Sequence, residues 1–499
     1  MKISKLTRSR NDWKAKAKNR GSHIRGFRKQ VRAYQKRQVR NQQEIDRLEN
    51  EITQLRAALR DAERTRETGA MMPYRTLCVL LVVGSIVSFR SVPRIMQVFQ
   101  PWLWAQVRIP HFTSVINWTL RAGIALFEQV STLSEPWVAI LDCSIDIGTR
   151  KALVVLRVAL SALQRKQGAI GPRDCECIGL EVSHQWNGLL VSEALSRIFA
   201  KTGVPAAILK DGGSDLQRGV ALFCAQRPEQ KIYLLEDVGH FAANALKALY
   251  ATSKSFLKFI QITARAAARI RQTNLAWLLP PKIRTKGRFQ SITAVAQWAH
   301  KIIEIVGGRG RAQAHTDLSR VRKAFAGFAS LRPFLKRFSH TCALTERFLK
   351  LLKTTGLNET THLEAQAILA QLPPRSLVRR RLSLWLEKHI HIQRLLAMGQ
   401  QPLLVSSDAI ESLFGLFKTV IQRNPQAELN RLIYLLPLLC ANHSADEIDG
   451  ALKQCSHTAM RNHIEQNLPP TLRQHRSQMF KTSAIPVPNS GNFQRPDTA

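Results

Sequence analysis

Between residues 24 and 59 one set of positions recurs at alternating three- and four-residue steps: Ile24, Phe27, Val31, Tyr34, Gln38, Asn41, Ile45, Leu48, Ile52, Leu55 and Leu59. Such alternation is a heptad seam and predicts a long helix over residues 1–70 that pairs with another helix. Mixed charges (Glu44, Arg47, Glu51, Arg56) flank the second half of the seam, whereas the first half is almost wholly Lys and Arg outside it. The end of this helix is therefore expected to dimerise and its start to touch phosphate. The plainer alternative is a solitary solvated helix kept soluble by its charge.

Over residues 71–132 three helical stretches follow: Leu77 to Val87, a second starting at Ser88 with Val92, Ile95 and Phe99 on one face, and Thr113 to Leu126 after Pro110. That is the size of a helix-turn-helix unit, and its last helix carries Asn117 and Arg121, types able to reach base edges or phosphates. A three-helix linker domain fits the same pattern. After Pro136 the pattern becomes continuous Val/Ile/Leu runs at Trp137–Ile147, Ala152–Leu160 and Ile178–Val182, as in strands buried on both faces. A helix (Asn187–Lys201), a strand (Ala206–Leu209), a helix (Asp215–Ala225), a strand (Ile232–Leu235) and a long helical run complete the order βββαβαβα. The expected division is a first catalytic part at 133–254, an all-helical insertion at 255–400, the final catalytic part at 401–465, and a disordered tail at 466–499.

Composition sharpens the partner. The 499 residues contain 74 Lys plus Arg against 35 Asp plus Glu, a formal charge of +39. A surplus of that size calls for a polyanion, and double-stranded DNA is the expected one. The longest apolar run, Leu77 to Phe89, is too short to cross a bilayer, and no cleavable leader pattern precedes it. The expectation is a cytoplasmic, nucleoid-associated protein without membrane contact. Eight scattered cysteines with no CxxC pair read as reduced thiols rather than zinc ligands or disulfides.

Three acids carry the candidate chemistry. Asp142 (WVAILDCSIDIG) lies near the end of a strand too apolar to welcome an unpaired carboxylate. Asp211 (AAILKDGGSD) follows the strand after the first helix, and Glu411 (SSDAIESLFGLFK) stands on a helix that Ser406 or Ser407 caps. Neighbouring parallel strand ends would bring the two aspartates to one crevice. Three carboxylates suit two hard divalent ions, Mg²⁺ or Mn²⁺, which activate a water or a 3′ hydroxyl and stabilise the departing oxygen. Asp146 and Asp215, each four residues on, remain alternatives as ligands or supporting partners.

Together DCSIDIG, KDGGSDLQRG, EDVGHFAANALK and SSDAIESLFGLFK resemble the catalytic domain of DDE-type transposases, specifically bacterial insertion-sequence proteins with a large helical insertion before the final Glu. The resemblance implies an α/β ribonuclease H-like core with Asp142, Asp211 and Glu411 as catalytic metal ligands, in a homodimer or higher homo-oligomer that cuts element ends and joins them to target DNA. Asp237-x-x-His240 is similar to the Asp/Cys-x-x-His motif of hAT-like transposases, which implies a place near the active site. By chemistry alone His240 either contacts a scissile phosphate or satisfies a core hydrogen bond. In the insertion Lys286 and Arg288 are candidates to hold a flanking strand, and Trp298 to stack on an extruded base or simply to sit among helices. Two rivals stand beside the transposase: a structure-specific nuclease or resolvase of the same fold, and a domesticated DNA-binding protein without catalysis.

Overall fold

The computed structural model describes residues 2–68, 71–103, 108–147, 150–166, 169–283, 287–307, 318–396, 399–422, 429–470 and 472–482. The chain divides into two compact units, Met1–Tyr74 and Arg75–Ala499. The first is dominated by α1 (Lys2–Thr68), a 67-residue helix. Along it Ile24, Phe27, Val31, Tyr34, Ile45, Leu48 and Ile52 are all exposed. The side chains of Leu55 and Leu59 lie outside the described residues.

The second unit begins within α2 (Met71–Ser85) and continues through α3 (Ser91–Leu103) and α4 (Phe112–Gln129). Five strands follow: β1 (Trp137–Ile147), β2 (Arg150–Ala159), β3 (Glu176–Ser183), β4 (Ala207–Lys210) and β5 (Tyr233–Glu236). They form one mixed sheet in the order β3-β2-β1-β4-β5, with β1 antiparallel to β2 and parallel to β4, and β4 parallel to β5. Among the described residues no further strand occurs beyond Glu236, only an isolated bridge between Leu357 and Leu403. The architecture is thus an α/β core within a mostly helical chain.

The apolar runs of β1 and β2 are continuous because both faces of the sheet are covered. On one face α6 (Gly188–Thr202) and α7 (Ser214–Ala225), which follow the short α5 (Leu160–Arg165), bury Val191, Leu195, Ile198, Phe199, Val220 and Phe223 against Ala139, Leu141, Leu153, Val155 and Ile208. Trp137, Phe199 and Phe223 meet edge to face there, with centroids 5.8 and 5.2 Å apart, a favoured aromatic geometry.

Helices α8 (Val238–Tyr250) and α9 (Lys254–Ile270) lead into the insertion, whose body is α10 (Ile292–Val306), α11 (Leu318–Ala324), α12 (Arg332–Thr355), α13 (Glu359–Ala370) and α14 (Leu377–Leu395). Its interior is aromatic: Phe256, Phe259, Phe325, Phe328, Phe338 and Phe348 are all fully buried. Helix α14 covers the edge strand β5. The Trp385 indole donates to the Glu236 carbonyl at 3.2 Å, and His389 Nε2 accepts from the Glu236 amide at 3.0 Å, so the backbone groups of Glu236 are satisfied by side chains.

The chain returns through α15 (Asp408–Gln422), which packs on β1, and ends in α16 (Leu429–Leu432), α17 (Leu436–Leu439), α18 (Ala445–Gln454), α19 (His457–Asn467) and α20 (Leu472–Thr482). Two sequence expectations change here. Residues Leu472–Thr482, assigned to a disordered tail, are helical, while 483–499 lie outside the described residues. Helix α4, read as the recognition helix, is an interior element packed by α17, α18 and α19. Its Gly123 faces the Tyr434 carbonyl so closely that a Cβ there would sit 1.9 Å from that oxygen.

Candidate active site

Strand register builds the first half of the site. Leu141 pairs with Lys210 across β1 and β4, and Lys210 pairs with Glu236 across β4 and β5. One residue further on come Asp142, inside β1 where its pairing with β4 ends, and Asp211 and Asp237, just past the ends of β4 and β5. Neighbouring strands lie about 4.8 Å apart, so the three acids form a row. A register shift between Asp142 and Ile145 breaks the β1–β2 ladder immediately after Asp142, and irregularities of that kind re-aim side chains beside functional sites. Asp142 is buried, whereas Asp211 is half-buried and its Oδ1 accepts from the Gly213 amide at 2.9 Å, closing a tight turn.

Asp237 joins the two halves. It is the N-cap of α8, and its Oδ1 accepts from the His240 amide at 2.6 Å and from His240 Nδ1 at 3.0 Å. Its Oδ2 accepts from the Ser407 amide at 2.7 Å and the Ser407 hydroxyl at 3.0 Å. The Val238 amide donates to the Val405 carbonyl at 2.9 Å. These bonds pin the segment before α15 to the end of β5, and so bring Glu411, in the first turn of α15, to the strand ends. Ser406 Oγ accepts from the Asp408 amide at 3.3 Å, as expected of a capping serine, while Ser407 is turned to Asp237 instead.

The electrostatics follow from this packing. Burial opposes ionisation of Asp237, but the hydrogen bonds from His240 and Ser407 outweigh it and hold the carboxyl below its usual range. Hydrogen bonding to Asp237 drives His240 up to about 9 against its partial burial, with Asp211 and Glu411 adding to the rise. Glu411 is raised, first by desolvation and then by Asp237 and Asp408, against the pull of His240 and Lys353. Desolvation, then Asp142, Asp211 and Asp215, pushes the Cys143 thiol far up. Asp211 and Glu411 both bear on His240, and Asp142 and Asp211 both bear on Cys143, while Glu411 itself is exposed. Asp215 is exposed in the first turn of α7, and the side chain of Asp146 lies outside the described residues.

The donor chemistry of the site suits a hard divalent cation: carboxylate oxygens, and a glutamate whose raised affinity for protons a cation would relieve. Among the described residues, however, no three His, Cys, Asp or Glu side chains converge on one point as an assembled metal cluster. The arrangement is a pair of adjacent aspartates and a separate, exposed glutamate on α15. All eight cysteines are free, six of them buried.

The other sequence candidates are distributed differently. Arg121 is turned inward, its Nε donating to the Cys455 carbonyl at 2.6 Å and a terminal nitrogen to the Leu452 carbonyl at 2.5 Å, so it caps the end of α18 instead of facing a groove. Asn117 lies 3.3 Å from His457 Nε2, at the junction with α19. The Trp298 indole donates to the Leu278 carbonyl at 3.0 Å, and its ring meets Phe325 and Phe328 edge to face, which makes it part of the insertion's core. Lys286 lies outside the described residues. Arg288 lines a concavity beside His240.

Sequence reasoning missed Lys353, whose Nζ on α12 lies 2.5 Å from Asp408 and ties the insertion to the helix carrying Glu411. Nothing in its sequence context distinguishes it from other insertion lysines. Ser407 was visible only as a cap, because its partner Asp237 is 170 residues away.

No family model matches the sequence, and no curated protein matches it. Among solved structures the chain is similar to one described as "Drosophila P element transposase strand transfer complex", at 11% identity and a TM-score of 0.39 over 77% of this chain and 97% of that one. No helix among the described residues is long and apolar enough to cross a membrane.

Proposed function

We propose that the chain is a DNA transposase whose α/β core is ribonuclease H-like and whose Asp142, Asp211 and Glu411 hold Mg²⁺ or Mn²⁺ for cutting element ends and joining them to target DNA. The observation that carries this reading is the strand register that sets Asp142 beside Asp211, with Glu411 brought to the same strand ends through the Asp237–Ser407 bonds. The order along the chain, three strands and then α6, β4, α7, β5 and α8, agrees with the βββαβαβα pattern read from the sequence and supports that reading.

Bound divalent ions would supply a water or 3′ hydroxyl activated for attack and would stabilise the leaving oxygen. The chain's own residues do the rest. Asp142, within β1, and Asp211, at the end of β4, would offer hard oxygen ligands from a rigid sheet, and Glu411 would join them from α15. Asp237 orients the His240 ring, whose Nε2 faces away from it and can donate to a phosphate oxygen. The +39 charge draws the polyanion toward an acidic centre that would by itself repel it.

Incubation of the full chain with Mg²⁺ and DNA bearing the ends of its own element tests the reading, beside Asp142→Ala, Asp211→Ala and Glu411→Ala. Each variant is expected to bind DNA and to cut about 10²- to 10³-fold more slowly, the scale on which a lost electrostatic contributor lowers turnover. Equal cleavage by the wild type and all three variants would remove the mechanism. Cleavage without joined products would leave a nuclease of the same fold and remove the transposase.

A further inference from the structure

Between Asp237 and Glu304 the sequence contains no Asp or Glu, in a chain that carries 35 of them in 499 residues. Helix α9 runs through the middle of that stretch. One side of it is seated in the insertion: Phe256, Phe259 and Ala266 are buried, Phe259 meets Phe328 edge to face at 5.9 Å, and a Cβ on Gly327 would stand 3.0 Å from the Ile262 side chain. Packing that close holds the helix in one position.

The other side is exposed and of one sign. Lys254, Lys258, Arg265 and Arg269 recur there at steps of four and seven residues, which keeps them on one stripe of the helix surface. No ion pair or hydrogen bond to any of these four side chains occurs among the described residues. A solvated helix face ordinarily mixes acids among its cations, and this one does not. Gln261, Ala264 and Ala268, also exposed, stand between the cations and are short or flexible enough to let the helix approach a surface closely. Helix α11, which packs against α9, adds the exposed Arg322 and Lys323 and no acid.

The spacing has a geometric meaning. The pair Lys254 and Lys258 and the pair Arg265 and Arg269 are centred about eleven residues apart, or roughly 16 Å along the axis at 1.5 Å per residue. That separation spans the major groove of B-form DNA, which is about 12 Å wide and admits an α-helix. We propose that α9 is the helix with which this chain enters duplex DNA, each cationic pair on one of the two phosphate backbones and Gln261 over the base edges between them. The role expected of α4, which is interior, thus falls to a helix of the insertion. Glutamine can pair with adenine in that groove, and the two alanines leave room for thymine methyl groups. Duplex binding by this face needs no metal and does not rest on the catalytic reading.

Binding of the full chain to a mixed-sequence duplex of about 30 base pairs is measured without divalent metal from about 50 to 200 mM salt. Each phosphate contact contributes about 0.9 to the slope of log affinity against log salt, so a variant combining Lys254→Gln, Lys258→Gln, Arg265→Gln and Arg269→Gln is expected to lose about 3 to 4 from it. All four positions are exposed and glutamine is a good helix former, so the fold is kept, which circular dichroism checks. Gln261→Glu, a carboxylate in the middle of the face, is expected to weaken duplex binding about tenfold, whereas Leu384→Glu, on the exposed side of α14, leaves it unchanged. On a single strand of the same length, which offers one backbone, the fourfold variant loses less than half as much slope. Asp142→Asn keeps the wild-type slope, so failure of the metal mechanism and failure of this face are separable. An unchanged duplex slope in the fourfold variant overturns the proposal. An equal loss on the single strand does the same, because it makes the face a track for one strand instead of a helix across a groove.

Discussion

Asp237 commits both carboxylate oxygens to two partners that meet only in the folded chain, His240 three residues on and Ser407 on the returning segment. Removing the carboxylate leaves the buried Ser407 amide and hydroxyl without an acceptor and frees the His240 ring. Asp237→Ala is therefore expected to lower unfolding free energy by about 3 kcal/mol, read from urea denaturation. It should also slow cleavage, since Glu411 loses its tether. Ser407→Ala, which keeps the backbone bond to Asp237, should cost about 1 kcal/mol. Equal stability of Asp237→Ala and wild type would sink the clasp.

His389 makes a second residue-scale test, this time by pH. Its ring is fully buried and stacked on Trp385, with Nδ1 donating to the Trp385 carbonyl at 2.7 Å and Nε2 accepting from Glu236, so the neutral form is the one that fits. Burial pushes its pKa down to about 4 from the ordinary 6.5. A depressed folded value means that the unfolded chain binds the proton first as pH falls. Stability from the neutral ring is complete above pH 6.5 and is lost between there and about pH 4, at about 1.4 kcal/mol per unit. Unfolding free energy should therefore fall by roughly 3 kcal/mol more across that window in wild type than in His389→Gln. Parallel pH curves would contradict the assignment.

At the scale of elements, the strands were legible because a sheet covered on both faces leaves an uninterrupted apolar signature. Their order placed Asp142 and Asp211 near their observed positions before any packing was known. Helix α4 was misread for the opposite reason. Asn117 and Arg121, one helical turn apart, look like an outward polar pair, yet α18 and α19, more than 300 residues later, supply Arg121 with carbonyls and Asn117 with His457. Thr119 bonds back to the Val115 carbonyl and is fully buried. Local periodicity carries no information about a cover that arrives from the other end of the chain. Gly123→Ala tests how tight that cover is. The methyl would meet the Tyr434 carbonyl at 1.9 Å, a backbone clash that puts overpacking near the upper end of about 1–3 kcal/mol, above the roughly 1 kcal/mol that alanine gains over glycine in a helix. A net loss of about 1 kcal/mol or more is expected in thermal unfolding. A stabilised variant would show that α4 is loosely held.

At the scale of the whole molecule, the exposed seam of α1 and the +39 charge make one argument. A row of Ile, Phe, Val, Tyr and Leu left in water along a 67-residue helix is expected to find a partner helix, and a second copy of this chain supplies an identical seam. The full chain is thus expected to sediment as a dimer or larger assembly, and Ile45→Asp with Leu48→Asp to shift it toward monomer while leaving the second unit folded. Sedimentation of wild type as a monomer at micromolar concentration would remove the seam as a pairing surface.

The central claim, that Asp142, Asp211 and Glu411 lie around a common divalent site, has a direct test in the protein backbone itself. Fe²⁺ exchanged for Mg²⁺, with ascorbate and peroxide, generates hydroxyl radicals where the ion sits and cuts the nearest chain. Mass analysis should find breaks clustered near residues 142, 211 and 411, lost together in Asp142→Asn with Asp211→Asn and suppressed by excess Mg²⁺. Breaks that fall elsewhere, or that persist unchanged in the double variant, would contradict the account.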